Sequence, residues 1–130
     1  MKVSRFKTNA AKEQNGVWVD IGEGAKLLVA RVNNSHYRSV LLRRSKPVAA
    51  QMRTGTLPED KARAILEQCY ADAILLDWEG LEDDDGNALE YSKEQALELL
   101  RMKDFFEMVE NFAMNAELYR EEQLNEMGNS

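Results

Sequence analysis

The chain has 130 residues, of which 44% are hydrophobic and 31% charged, a composition typical of one globular domain with a single modest core. No apolar run reaches the roughly 20 residues that cross a bilayer, and residues 1–16 lack the apolar segment of a signal peptide. The one cysteine, Cys69, excludes an internal disulfide and fits a reducing compartment. We therefore expect a protein of a bacterial-type cytoplasm.

The net charge of −6 is unevenly distributed. Residues 1–58 hold 11 Lys and Arg against 3 Asp and Glu, a net of +8, whereas residues 59–130 hold 6 against 20, a net of −14. Three arrangements fit this split: the halves attract each other within the monomer, they stack head to tail between subunits, or one half meets an outside polyion. Nucleic acid is the disfavoured polyion, because the acidic half would oppose its phosphates.

The first elements are an arm and a hairpin. Residues 1–15 are polar without periodicity, which predicts a flexible N-terminal arm. Val17, Val19 and Ile21 then alternate with Trp18 and Asp20, which predicts a half-buried strand. The turn residues 22–24 and a second apolar run at 26–32 complete a β-hairpin. Such a hairpin is marginal alone, so it must pack on helices or on another sheet edge.

Two helices are predicted next. Residues 33–35 supply an N-cap for a helix that Pro47 would kink or end. Thr56-Leu57-Pro58-Glu59 has the spacing of a capping box with proline in the first turn. We expect the helix after it to carry Cys69 on its apolar face and to end near Leu76.

Four consecutive acids, Glu82 to Asp85, follow Trp78 and a glycine. The chain then turns at Gly86-Asn87, and Ser92 opens a second capping box. This pattern predicts a sharp acidic corner between two helices, which favours an interaction protein. Trp78 either plugs that corner or anchors a contact with a partner.

Asp104 has the spacing of a third cap, and the helix that it opens is predicted to be about 20 residues long. Its predicted core stripe is Phe105, Val109, Phe112, Ala116 and Tyr119. On that register Met102 and Phe106 point roughly 100° away from the stripe. Either both faces are covered within a helical bundle, or the second face accepts partner helices, since methionine adapts to varied shapes. The residues predicted to bind a partner are Trp78, Met102, Phe106, Met108 and Met114.

Together these elements predict a mainly α, α+β fold with an N-terminal β-hairpin and about four helices. A single domain would span residues 16–125, between the flexible arm at 1–15 and a frayed tail at 126–130.

The chemistry of an enzyme is not apparent. The sequence D-D-D-G resembles a calcium loop, but that register puts Leu81 and Ser92 where aspartate and bidentate glutamate are needed. His36 and Cys69 are single residues of their types, without the spacing of a nucleophile and its base or of a zinc site. We expect no catalytic residue, no metal ligand and no cofactor.

Three segments occur in a fixed order within residues 17–123. They are V-W-V-D-I-G-E-G with L-L-V-A-R-V, then D-W-E-G-L and D-G-N-A-L-E-Y-S-K-E-Q-A-L-E-L-L, then D-F-F-E-M-V-E-N-F-A. In this order and spacing they resemble the small tail assembly chaperones of long-tailed, siphovirus-type bacteriophages. The resemblance implies an acidic, self-associating chaperone, made late in infection, that coats the helical tape measure protein in the host cytoplasm. It also implies that the chaperone is absent from the mature virion.

Family members are often made in two lengths by a −1 ribosomal frameshift, and the extension recruits tail tube subunits. The chain ends with Met127-Gly128-Asn129-Ser130. The codons AUG GGA AAC would encode the first three of these residues and contain the slippery sequence G GGA AAC. We therefore hypothesise a frameshift at Gly128-Asn129.

The alternative function is a small DNA-binding or host-regulating adaptor that acts through the basic N-terminal half. No helix-turn-helix with a basic recognition helix is apparent in that half. An adaptor for another phage protein also stays open, and the genes beside this one would discriminate it. The segment from Arg43 to Lys46 matches no family motif, and its role is left open.

Overall fold

The computed structural model describes residues 1–121 as a mainly α, α+β fold, which confirms the predicted class. The strands are β1 (Val17–Gly22), β2 (Ala25–Val29) and β3 (Leu75–Glu79). The α-helices are α1 (Ala10–Asn15), α2 (Ser35–Ser45), α3 (Ala49–Thr54), α4 (Glu59–Ala73), α5 (Lys93–Leu100) and α6 (Lys103–Met114). Short 3-10 turns occupy Val3–Phe6, Lys46–Val48 and Ala116–Tyr119.

The predicted hairpin is confirmed, because β1 and β2 pair antiparallel around a turn in which Glu23 and Gly24 have positive φ. A third strand, β3, pairs antiparallel with β2 and places Trp78 opposite Leu27. The prediction that the preceding helix runs to about Leu76 was therefore wrong. α4 ends at Ala73, because the extended backbone of β3 supplies hydrogen-bond partners for the second edge of β2. This tertiary pairing overrides the helix propensity of the leucines at the start of β3.

The core lies where α2, α4, α5 and α6 pack together and against one face of the sheet. Asn34 joins two of these elements. Its side-chain oxygen accepts a hydrogen bond from the Tyr37 amide at 2.9 Å, capping α2 as predicted, and its side-chain nitrogen donates to the Ala73 carbonyl at the end of α4. Burial of this polar side chain is tolerated because its hydrogen bonds are satisfied.

Two other predicted caps differ from the structure. The Thr56 hydroxyl lies 2.8 Å from the Thr54 hydroxyl and does not cap α4, whose N-cap residue is Pro58. Similarly, α6 begins at Lys103 after Met102, without a side-chain cap from Asp104. Ser92 does cap α5 as predicted, because its hydroxyl accepts a hydrogen bond from the Gln95 amide at 3.0 Å.

The last helix is shorter than predicted. α6 ends at Met114, because Asn115 leaves the helical conformation and its side chain accepts a hydrogen bond from the Glu117 amide. The Ala116–Tyr119 turn then folds back, and the fully buried Tyr119 donates its hydroxyl to the Val29 carbonyl.

The predicted N-terminal arm contains regular structure. Asn9 caps α1, and its amide donates to the Tyr119 carbonyl at 2.8 Å. Thr8 and Arg120 form an antiparallel bridge beside it. The chain start therefore contacts the segment after α6. The predicted tail at residues 126–130 lies outside the described residues, and the division into arm, domain and tail stays a prediction.

The acidic corner, named here the acidic turn (Glu82–Asp85), lies between β3 and α5 and not between two helices as predicted. The Asp83 carboxylate accepts hydrogen bonds from the amides of Asp85 and Asn87, which lower its pKa. A bridge between Glu82 and Ala88 closes the base of the turn. The turn is thus ordered by its own hydrogen bonds.

Glycine substitutions in this region provide a test with a matched control. Gly80 and Gly86 both have positive φ, but only a Cβ on Gly80 would collide with backbone, at the Gly24 carbonyl oxygen. We expect Gly86→Ala to lower the free energy of unfolding by about 1–2 kcal/mol. Gly80→Ala should lower it by about 2–5 kcal/mol, since overpacking adds to the backbone strain. Urea unfolding would measure both, and equal losses would contradict the close approach of Gly80 to the hairpin.

Tyr91 leads to a prediction about alkaline stability. Its hydroxyl donates to the Leu75 carbonyl at 2.8 Å, and burial raises its pKa to about 12. A pKa raised in the folded state means that the stabilisation is complete below the ordinary tyrosine pKa of about 10 and is lost as the pH rises through 12. We expect the free energy of unfolding to fall across that window. In Tyr91→Phe the free energy of unfolding should fall less steeply with pH, by the contribution of up to about one proton released on unfolding. An equal slope in the variant and in the unmodified chain would be evidence against burial of this hydroxyl.

Candidate partner-binding surface

Helix α6 carries apolar residues on two adjacent faces. The buried face consists of Phe106, Val109 and Ala113, and the half-buried face of Phe105, Met108 and Phe112. The core stripe is therefore rotated from the predicted register: Val109 is buried as expected, but Phe106 replaces Phe105 as the core aromatic residue. Spacings of three and four residues fit both registers, so periodicity alone could not separate them.

The prediction that Phe106 points outward was wrong. Its side chain is 2% exposed, and its ring centroid lies 4.6 Å from that of Tyr70 on α4. The guanidinium carbon of Arg63 lies 4.1 Å from the Phe106 ring centroid, within the range of a cation–π contact. These partners come from α4, more than 30 residues earlier in the sequence, so the pattern within α6 does not indicate them.

Trp78 is also a core residue, with 4% of its surface exposed. Its indole nitrogen donates to the Leu89 carbonyl at 2.8 Å, and its ring centroid lies 4.9 Å from that of Tyr91. Both contacts lie beyond the acidic turn, so Trp78 holds the ends of that loop together. Of the two roles predicted for Trp78, this geometry is that of a residue that packs inside the corner, and not of one that anchors a contact with a partner.

An open groove, named here the α6 groove, is lined by Met102, Lys103, Asp104, Phe105 and Met108 and has a volume of about 540 Å³. Met102 is 52% exposed, while Phe105 and Met108 are half-buried. Methionine side chains flank an aromatic ring, with one base and one acid in the lining. Exposed apolar side chains gathered in a groove favour contact with another apolar surface.

The structure brings together only part of the predicted site. Met102 and Met108 lie in the α6 groove with Phe105, which had been assigned to the core stripe. The spacing of three residues between these side chains is the signal that could have indicated the groove. Met114 is 62% exposed but lies about 120° around the helix from Met108, outside the groove lining.

Other chemistry is limited in the part of the chain that is described. Among residues 1–121 no group of three or more His, Cys, Asp or Glu could hold a metal ion. Cys69 is buried, and burial raises the pKa of its thiol, which disfavours the reactive thiolate. No helix within residues 1–121 is both long enough and apolar enough to cross a membrane.

Within residues 1–121, these features define a small, mainly α domain with an exposed Met- and Phe-lined groove. Residues 32–129 match the family model described as YdaY prophage protein, so the chain belongs to that family and is of phage origin. The matched range begins after the hairpin and includes α2 to α6. Comparison with curated proteins and with solved structures gives no match.

The two faces of α6 predict different mutational effects. Phe106→Ala should lower the free energy of unfolding by about 3–5 kcal/mol, because it leaves a cavity beside Tyr70. Met102→Glu, on the exposed wall of the α6 groove, should change it by no more than about 0.5 kcal/mol. Denaturant unfolding of the two variants provides the comparison, and similar losses would show that Met102 is also a core residue.

Proposed function

We propose that this protein is a non-enzymatic tail assembly chaperone that coats the tape measure protein during phage tail morphogenesis. The observation that carries the proposal is the α6 groove, in which Met102, Phe105 and Met108 present adaptable apolar surface. The prophage family and the resemblance of three ordered segments to tail assembly chaperones support the same role.

The groove suits a helical partner. An amphipathic helix binds by laying its apolar face into a hydrophobic groove, and methionine side chains accommodate partners of varied shape. A tape measure protein is a long helical rod whose apolar face would aggregate if it stayed uncovered. A chain of small grooves along the rod would cover that face.

Charge and avidity fit a removable coat. The net charge of −6 gives the coat an acidic exterior, which keeps coated rods apart by repulsion. Each groove is open and offers three apolar side chains, so the affinity of one copy would be low. Many copies on one rod give a higher effective affinity, yet each copy can still be displaced when the tail tube polymerises.

Further elements of this proposal come from the family resemblance. The chaperone would act in the host cytoplasm, self-associate and be absent from the mature virion. A longer form, made by frameshifting at Gly128-Asn129, would recruit the tail tube protein; these residues lie outside the described range. The gene sequence tests this element, because a Gly128 codon other than GGA removes the proposed slippery site.

Co-expression with the long helical protein encoded by the same prophage tests the proposal. Met102→Glu should reduce the amount of that protein captured by at least about tenfold, since a buried unpaired carboxylate opposes apolar contact. Met52→Glu is the matched control: Met52 is 50% exposed on α3, against 52% for Met102, but lies outside the α6 groove. Capture by the control should equal that by the unmodified protein.

Two results would contradict the proposal. Equal capture by the Met102 and Met52 variants would remove the α6 groove from the interface. Failure of the unmodified chain to capture or solubilise any long helical protein of its prophage would remove the chaperone function itself.

A further inference from the structure

A second groove lies between the end of α2 and the middle of α4. It is lined by Arg43, Arg44, Pro47, Ala64, Ile65 and Gln68, has a volume of about 350 Å³, and is named here the basic groove. Pro47, Ala64 and Ile65 provide apolar surface, and the two arginines provide positive charge. Lys46, adjacent to Pro47 in the chain, is exposed and adds a third base.

The two arginines differ in their availability. Arg44 is engaged within the molecule, because its guanidinium lies 2.7 Å from the Asp72 carboxylate and also donates to Gln68. Arg43 lies 3.8 Å from the same carboxylate, and 69% of its side chain is exposed. The charges of Arg43 and Lys46 are therefore available to a partner, because Asp72 is engaged with Arg44.

The acidic turn has carboxylates to match. Across residues 1–121, the ion pairs that join the basic half to the acidic half use Asp72 and Glu79, and none uses a residue of the acidic turn. Asp83 is occupied with shaping the turn, whereas Glu82, Asp84 and Asp85 are exposed. Within residues 1–121, ion pairs between the two halves therefore engage only Asp72 and Glu79 of the acidic half.

We propose that the acidic turn of one copy docks in the basic groove of a second copy, so that the protein assembles head to tail. Carboxylates of the turn would pair with Arg43 and Lys46, and arginine pairs well with carboxylate through paired hydrogen bonds. The turn is ordered by its own hydrogen bonds before it docks, so little conformational freedom is lost. Because the two surfaces differ, such contacts close into rings or continue as filaments.

A second copy suits this groove better than nucleic acid. A protein that binds nucleic acid tightly neutralises several phosphates with many bases. Here the available bases are Arg43 in the groove and Lys46 beside it, on a chain of net charge −6. The contact would be weak and screened by salt, since it rests on a few exposed ion pairs. This inference rests on the self-association included in the proposed function. Its test needs no tape measure protein, so failure of this contact and failure of the coat give different results.

Complementation between two neutral variants tests the interface. Arg43→Gln/Lys46→Gln removes the two exposed charges at the basic groove, while Arg44 stays paired with Asp72 and the acidic turn is unchanged. Asp84→Asn/Asp85→Asn removes two exposed charges of the acidic turn and leaves the basic groove unchanged. In sedimentation at low salt, the unmodified chain should form species larger than dimers that dissociate when the salt is raised. Each variant alone should be monomeric. An equal mixture should form dimers and nothing larger, because one intact turn meets one intact groove and the other two surfaces are inactive.

Matched controls change the same charge elsewhere. Lys2→Gln/Lys7→Gln and Glu107→Gln/Glu121→Gln alter exposed residues outside both surfaces and should assemble like the unmodified chain. The inference is overturned if the unmodified chain is monomeric at low salt, if either interface variant assembles normally, or if the mixture stays monomeric. It is also overturned if the unmodified chain binds a short DNA duplex and Arg43→Gln/Lys46→Gln abolishes that binding, since the groove would then take a polyanion.

Discussion

The contact between Phe106 and Tyr70 sets the rotation of α6, and that rotation decides which apolar side chains reach the surface. With the Phe106 ring in contact with Tyr70 and with the Arg63 guanidinium, Val109 and Ala113 turn toward the core. Phe105 and Met108 are then left at the edge of the buried face, where they form a groove with Met102. The proposed binding surface thus follows from one aromatic contact between α4 and α6.

At the C-terminal end of α4, the pairing of strands likewise determines which side chains are buried. Pairing of β3 with β2 places Trp78 opposite Leu27, and the indole nitrogen of Trp78 donates a hydrogen bond to the Leu89 carbonyl. This fixes both ends of the loop that carries the acidic turn. A cluster of like charges is held in one place because its anchor is buried and hydrogen-bonded.

Features with local causes were predictable from the sequence. Alternation around Gly22–Gly24 indicated the hairpin, and the side chains of Asn34 and Ser92 cap the helices that follow them. The capping box predicted at Thr56 does not form, because the Thr56 hydroxyl is hydrogen-bonded to the Thr54 hydroxyl, two residues away. Met102 and Met108 line one groove, and their role in partner binding stays a prediction.

Features that depend on distant partners were not predictable. Residues 75–79 have a composition suited to a helix or a strand, and the free edge of β2 decides between them. Phe105 and Phe106 are adjacent and chemically identical, so only the position of Tyr70 distinguishes the groove residue from the core residue. The burial of Trp78 likewise depends on a strand that the pattern does not indicate.

The α6 groove is the surface proposed to meet a helical partner. Hydrogen–deuterium exchange of the chain, with and without the proposed tape measure partner, would locate the contact. We expect slower exchange at residues 102–108 on binding and no change at α3 (Ala49–Thr54), which also carries an exposed methionine. Protection at α3 with none at residues 102–108 would contradict it.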